Sequence, residues 1–246
     1  MSSLGEYCID KAMRLIARYL AAGKLQTSAN GMENLPIRGP ALIVVRHYHH
    51  LFDGLALFSA MQRQFHIVVS VDWVANRRTK IFMHAINHMA RWPMILRTDA
   101  LKHHENSQRR LFSTSDGARY QREALRESVQ LLVEGKILVV FPEGYPNIDP
   151  TYTPKTEPDQ FLPFKTGFVR ILRAAEARLG SKIPIIPAGI HYATGESWQG
   201  YLKFGTAIYR NENASRAELI GRLEYEVKRL SGISVETPST VLPVKL

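Results

Sequence analysis

The chain has 246 residues, 45% of them hydrophobic, which fits one α/β domain with room for small additions. Its single cysteine, Cys8, excludes an intramolecular disulfide framework and a cysteine-based zinc site. The formal charge of +10 asks for an anionic partner; the basic residues are dispersed, with only short pairs such as Arg77-Arg78 and Arg109-Arg110, and no nucleic-acid-binding signature accompanies them.

A phosphorylated substrate or an acidic membrane surface is therefore favoured over nucleic acid. Residues 1–5 carry no basic start and no long apolar block follows, so a cleaved leader is not expected. No window approaches the roughly 18 uninterrupted apolar residues of a spanning helix. The expectation is a soluble or peripheral protein.

Residues 6–22 predict an amphipathic helix. Ile9, Ala12, Met13, Ile16, Tyr19 and Leu20 recur at helical spacing, with Lys11, Arg14 and Arg18 largely off that stripe. The stripe either packs on the core or lies apolar face down in a membrane interface. Residues 24–40 read as connection, with Asn30-Gly31 and two prolines, Pro36 and Pro40, as turn signals.

Ala41-Leu42-Ile43-Val44-Val45 reads as a buried strand, and residues 54–64 as a helix. Between them stand His47, His49, His50 and Asp53. Strand ends hold side chains still beside a crevice, so this is a natural place for chemistry. A histidine steadied by a carboxylate is a general base for a hydroxyl or a water.

Residues 66–71 predict a strand and residues 80–89 a helix, on which His84 and His88 stand four apart. No carboxylate lies near that pair in sequence, so it reads as structure or surface rather than as a metal site. Residues 92–97 predict a short strand ending in Arg97. Residues 99–115, with His103, His104, Arg109 and Arg110, predict a surface loop or short helix.

Residues 117–134 predict a long helix stopped by Gly135, followed by the strand Ile137-Leu138-Val139-Val140-Phe141 and then Pro142-Glu143-Gly144. Residues 144–160 carry four prolines and predict a long irregular loop of the kind that often holds function. A helix over 167–178, an apolar strand over 183–190, a strand over 202–208 and a helix over 214–230 complete the pattern.

Strands alternating with helices predict a single α/β domain, a central mostly parallel sheet flanked by helices, with the N-terminal amphipathic helix added. The expected division is 1–29 for that helix and its linker, 30–236 for the α/β domain and 237–246 for a loose tail.

Four blocks stand in order. They are the histidine block ending at Asp53-Gly54, the segment Trp92 to Arg97, Phe141-Pro142-Glu143-Gly144, and Ile185-Ile186-Pro187. Leu162-Pro163-Phe164-Lys165-Thr166-Gly167 lies between the last two. Over roughly residues 30–210 the ordered set resembles the glycerolipid acyltransferase family, best known for 1-acylglycerol-3-phosphate acyltransferases.

The resemblance implies transfer of a fatty acyl group from acyl-CoA or acyl carrier protein to the hydroxyl of a lysophospholipid or related lipid alcohol. The thioester would be a co-substrate, and no cofactor or metal is implied. His47 would be the base with Asp53 beside it, and His49 is retained as the alternative. Arg97 would hold an anionic group, with Lys165 as the second cation. Glu143 and Gly144, with Pro142, would position the acceptor. The implied setting is phospholipid biosynthesis by a cytoplasmic protein, peripheral on the inner face of a membrane, docked through its N-terminal helix and basic residues.

Two departures matter. The family usually has four residues between histidine and aspartate, and that place is Tyr48 here. His47 has five and His49 three. The strand end and the lead-in from Pro40 favour His47. After Gly144 the family commonly has threonine and arginine, whereas this chain has Tyr145 and Pro146. That puts the acceptor's phosphate in question.

Two other classes stay open at this level. One is a metal-dependent hydrolase using His47, His49, His50 and Asp53. The other is an inactive membrane-binding module of the same fold.

Overall fold

The computed structural model describes residues 4–103 and 111–234. A six-stranded sheet runs through it in the order β1-β8-β7-β2-β6-β3, with β1 Leu25–Asn30, β2 Ala41–Val45, β3 Phe65–Ile67, β6 Ile137–Val140, β7 Ile185–Ala193 and β8 Trp198–Phe204. All pairings in it are parallel except β7 with β8. A separate two-stranded parallel sheet joins β4 Val69–Ser70 to β5 Met94–Ile95.

The helices are α1 Leu4–Ala21, α2 Phe52–Ala60, α3 Arg77–Ala90, α4 Thr98–His103, α5 Thr114–Val133, α6 Gly167–Leu179 and α7 Arg216–Leu230. The expected single α/β domain with a mostly parallel sheet is the observed architecture. The expected tail from 237, and His104, Arg109 and Arg110, lie outside the described residues.

Central parallel strands are covered on both faces and therefore read as unbroken apolar runs. In β2, Ala41, Ile43 and Val45 enter one core and Leu42 and Val44 the other, all fully buried. β6 does the same with Ile137 and Val139 against Leu138 and Val140. Each large aliphatic side chain so buried contributes roughly 1.5–3 kcal/mol. These two strands are the rigid pair from whose carboxyl ends the site is hung.

Three expectations are revised. The connection over 24–40 contains strand β1. It stands at the sheet edge and buries only Leu25, so it shows no apolar run. The single strand over 66–71 is two strands in two sheets, because the chain leaves the main sheet after Ile67 to pair with β5.

The third revision concerns α1, whose apolar stripe is split: Met13 and Leu20 pack on the core beside the inward-turned Glu6, Asp10 and Arg14. Glu6 is bound by Lys136 and Arg91. Arg14 pairs with Asp10 and donates to the carbonyls of Phe58, Met61 and Arg63. Ala17 is buried with them, while Ile16 and Tyr19, from the stripe expected either on the core or on a membrane, are exposed. The carbonyls in and just beyond the last turn of α2 need donors, and Arg14 supplies them.

Candidate active site

His47 stands two residues beyond β2 and Asp53 in the first turn of α2. The His47 ring meets Asp53 with Nδ1 2.8 Å from Oδ2. A carboxylate only accepts, so Nδ1 carries the hydrogen and Nε2 keeps its lone pair. The extra residue between them does not break the contact, and Tyr48, in the family's usual place, uses its backbone N–H instead to reach Asp53 at 2.7 Å.

Asp53 is buried at 1% exposure and collects further donors: the His49 N–H at 3.1 Å and the Tyr192 hydroxyl at 2.8 Å. The helix N-terminus adds a favourable field for a carboxylate. Tyr192 keeps its proton, because burial first and then Asp53 push its pKa well above the ordinary phenol value. On the other side, Phe141 stacks on the His47 ring at 4.4 Å between centroids.

His49 behaves differently. Its Nδ1 accepts the N–H groups of Leu51 and Phe52, both at 3.2 Å, and its ring stacks on Phe52. It thus satisfies free donors at the start of α2. Burial, then the neighbouring His50, lower its pKa to about 4. Only its backbone N–H reaches Asp53, so the structure brings His47 and not the His49 ring to the carboxylate.

Glu143 is fully buried. Its Oε1 accepts the His47 N–H at 2.9 Å, and its Oε2 accepts the Leu162 N–H at 3.0 Å and lies 2.7 Å from Lys155 Nζ. Both oxygens of the Glu143 carboxylate are thus taken up by donors of the protein itself. Glu143 ties the turn after β6 to the turn after β2. Pro142 is buried in that turn, and its carbonyl accepts the Lys165 N–H at 2.8 Å. Gly144 adopts φ 79°, and any Cβ there would press on the Lys165 side chain.

Arg97 is 6% exposed. Its Nε and Nη2 fork onto Asp72, Nη1 donates to the Gly144 carbonyl at 2.8 Å, and its plane covers Tyr145 at 4.3 Å. Lys165 Nζ is exposed, 3.5 Å from Asp99 and 4.8 Å from the Tyr145 ring centroid. Tyr145, which departs from the family pattern, therefore has two cations against its ring.

The loop after Gly144 is knitted into the site. The Ile148 N–H donates to the Tyr48 carbonyl at 2.8 Å, and the His50 N–H donates to the Ile148 carbonyl at 3.0 Å. His47, Asp53 and Arg97 line one cavity of about 490 Å³ whose walls include Leu55, Phe58 and Phe141. Its volume and apolar walls suit a small-molecule or lipid-chain site.

Among the described residues no three His, Cys, Asp or Glu side chains are arranged to hold a metal. In the histidine cluster the Nδ1 atoms have partners other than a shared metal position. His47 Nδ1 is on Asp53, His49 Nδ1 on backbone amides, and His50 Nδ1 is 3.3 Å from the Ile148 carbonyl. His84 Nε2 is 2.8 Å from the Tyr120 hydroxyl.

A family model described as Acyltransferase matches residues 26–191. The chain belongs to the acyltransferase family. This acyltransferase is also similar in fold to the crystal structure of the 1-acyl-sn-glycerophosphate (LPA) acyltransferase PlsC from Thermotoga maritima. That match has 18% sequence identity and a TM-score of 0.55, and covers 92% of this chain and 78% of that one. No curated protein matches the chain.

The sequence reading missed Lys155, Tyr192 and Asp72, which the acyltransferase uses to hold its site. Lys155 is one cation in a proline-rich loop, and Tyr192 lies 139 positions from Asp53. No local pattern marks either.

Proposed function

We propose that this acyltransferase moves a fatty acyl group from an acyl thioester, acyl-CoA or acyl carrier protein, to the hydroxyl of a lysophospholipid or related lipid alcohol, with 1-acylglycerol-3-phosphate the favoured acceptor. The observation that carries the proposal is the His47–Asp53 pair opening into an apolar-walled cavity. His47 Nε2 takes the hydroxyl proton. The oxygen attacks the thioester carbonyl, and the tetrahedral intermediate collapses, breaking the C–S bond. The departing thiolate recovers the proton from the imidazolium, so no enzyme nucleophile is used.

Asp53 fixes the tautomer and balances the imidazolium. Arg97 takes the acceptor's anionic group with the N–H directions that Asp72 and Gly144 leave free, and Lys165 is the cation able to swing toward it. The acyl chain lies along Leu55 and Phe58. The thioester carriers are anionic, and a chain of charge +10 draws either. The exposed apolar side of α1, with Lys11 and Arg18, supports peripheral docking on the inner face of a membrane. Among the described residues no helix is long and apolar enough to cross one.

The test is to incubate the protein with acyl-CoA or acyl carrier protein thioesters and a panel of lysolipids and alcohols, reading products by mass. An acylated lysophosphatidic acid that disappears in His47→Ala supports the proposal. Thioester hydrolysis with no acylated lipid from any acceptor contradicts it.

A further inference from the structure

Two helices of this protein are dressed for something other than water. On α1, Leu15 is 65% and Tyr19 81% exposed. On α3, Ile81 and Phe82 are both 62% exposed, and Met89 on the same stripe is also exposed. A solvated helix shows the reverse pattern, with charge outward.

The two helices pack against each other, and their contacts fix the direction. Glu6 of α1 pairs with Arg91, the residue capping α3, while Met13 and Met83 line the same cavity. Early α1 thus lies by late α3, and the pair runs antiparallel. That register brings the second half of α1, with Leu15 and Tyr19, toward the half of α3 that carries Ile81 and Phe82.

Charge selects the occupant. α3 contains no carboxylate, and its first two residues, Arg77 and Arg78, are exposed. The two carboxylates of α1 are turned in: Glu6 onto Lys136 and Arg91, Asp10 onto Arg14. Lys11 and Arg18 are exposed. Apolar side chains set among cations, with no exposed carboxylate, complement an anionic lipid surface. At the cavity, Trp73 and Leu51 line the wall yet stay exposed, and Trp is the side chain that settles at a lipid–water boundary.

We infer that α3 is a second membrane-inserting element, forming with α1 one foot on an anionic bilayer, and that the His47 cavity opens between the two. Ile81 and Phe82 enter the lipid, Arg77 and Arg78 meet headgroups, and an acceptor reaches His47 from the bilayer past Met13 and Met83. The route of the acceptor rests on the acyl-transfer reading; the insertion of α3 does not.

The experiment compares wild type, Ile81→Glu/Phe82→Glu and Leu15→Glu/Tyr19→Glu. All four side chains are exposed and none lines the cavity, and melting curves establish that each variant folds. Vesicles of phosphatidylcholine, with and without phosphatidylglycerol, are floated with each protein. Wild type is expected on the anionic vesicles alone, with at least a tenfold loss in both double variants. Transfer to a lysolipid embedded in vesicles should fall in step, while transfer to a short-chain acceptor monomeric in water stays within twofold.

Flotation of the α3 variant within twofold of wild type overturns the inference. So does a wild-type dimer in solution that the α3 variant abolishes, since a second copy would then cover this face. Absence of transfer to every acceptor would count against the enzyme proposal, while flotation would still decide this one.

Discussion

The ammonium of Lys155 donates to the main-chain carbonyl of His47 at 2.9 Å, from 108 positions further along the chain. It also donates to Asn147 Oδ1 at 2.9 Å and lies 2.7 Å from Glu143 Oε2. Three donors meet three acceptors, and the side chain has no exposed surface. One lysine thereby joins the turn after β2, the turn after β6 and the proline-rich loop. Burial pulls its pKa down against the opposing pull of Glu143.

Lys155→Met should leave the Glu143 carboxylate buried and unpaired, at a cost of about 3–5 kcal/mol of stability. Adding Glu143→Gln should recover part of that, since the unpaired charge is gone. Denaturant unfolding of the two variants and the wild type checks both statements. A Lys155→Met protein as stable as wild type would show that the network carries no weight.

Tyr192→Phe removes one donor from Asp53 without altering the ring. A hydrogen bond to a charged group is worth about 1.5–3 kcal/mol. If the carboxylate must be held for His47 to act, kcat should fall roughly tenfold or more with KM little changed. Because its pKa is raised, Tyr192 should contribute no alkaline limb between pH 8 and 10 in the wild-type pH–rate profile.

Arg97→Lys keeps the charge and loses the fork onto Asp72. If Arg97 meets the acceptor's phosphate, the preference for a phosphate-bearing acceptor over its phosphate-free counterpart should shrink about tenfold. An equal loss on both acceptors would assign Arg97 to holding Asp72 and Gly144 alone. Parallel kinetics with the two acceptors separate the cases.

His49 titrates at about 4 in the folded chain against an ordinary value of 6.5. The unfolded chain therefore binds more protons between these values, and stability falls as pH drops from 6.5 toward 4. The contribution is about 3 kcal/mol at most. His49→Asn keeps an acceptor for the Leu51 and Phe52 amides but does not titrate. Its unfolding free energy should depend less on pH between 7 and 5 than that of the wild type, as measured by denaturant melts at each pH.

What was legible in the sequence followed local pattern. The unbroken runs of β2 and β6 declare buried strands, and the polar residues just beyond each run declare the place of His47 and Glu143. What was not legible depended on distant partners. The inward turn of Arg14 needs the carbonyls at the end of α2. The engagement of Arg97 needs Asp72, and the choice between His47 and His49 needs the direction of each ring. The edge strand β1 has one buried residue and so leaves no periodic trace.

The most direct measurement of the central claim is single-turnover acyl transfer from a radiolabelled acyl thioester to a lysolipid by wild type, His47→Asn and His49→Asn. General-base catalysis supplies about 10²–10⁴-fold. The rate should fall by that factor in His47→Asn and stay within about fivefold of wild type in His49→Asn, with all three proteins folded by their melting curves. A folded His47→Asn protein that transfers within threefold of the wild-type rate would contradict the account.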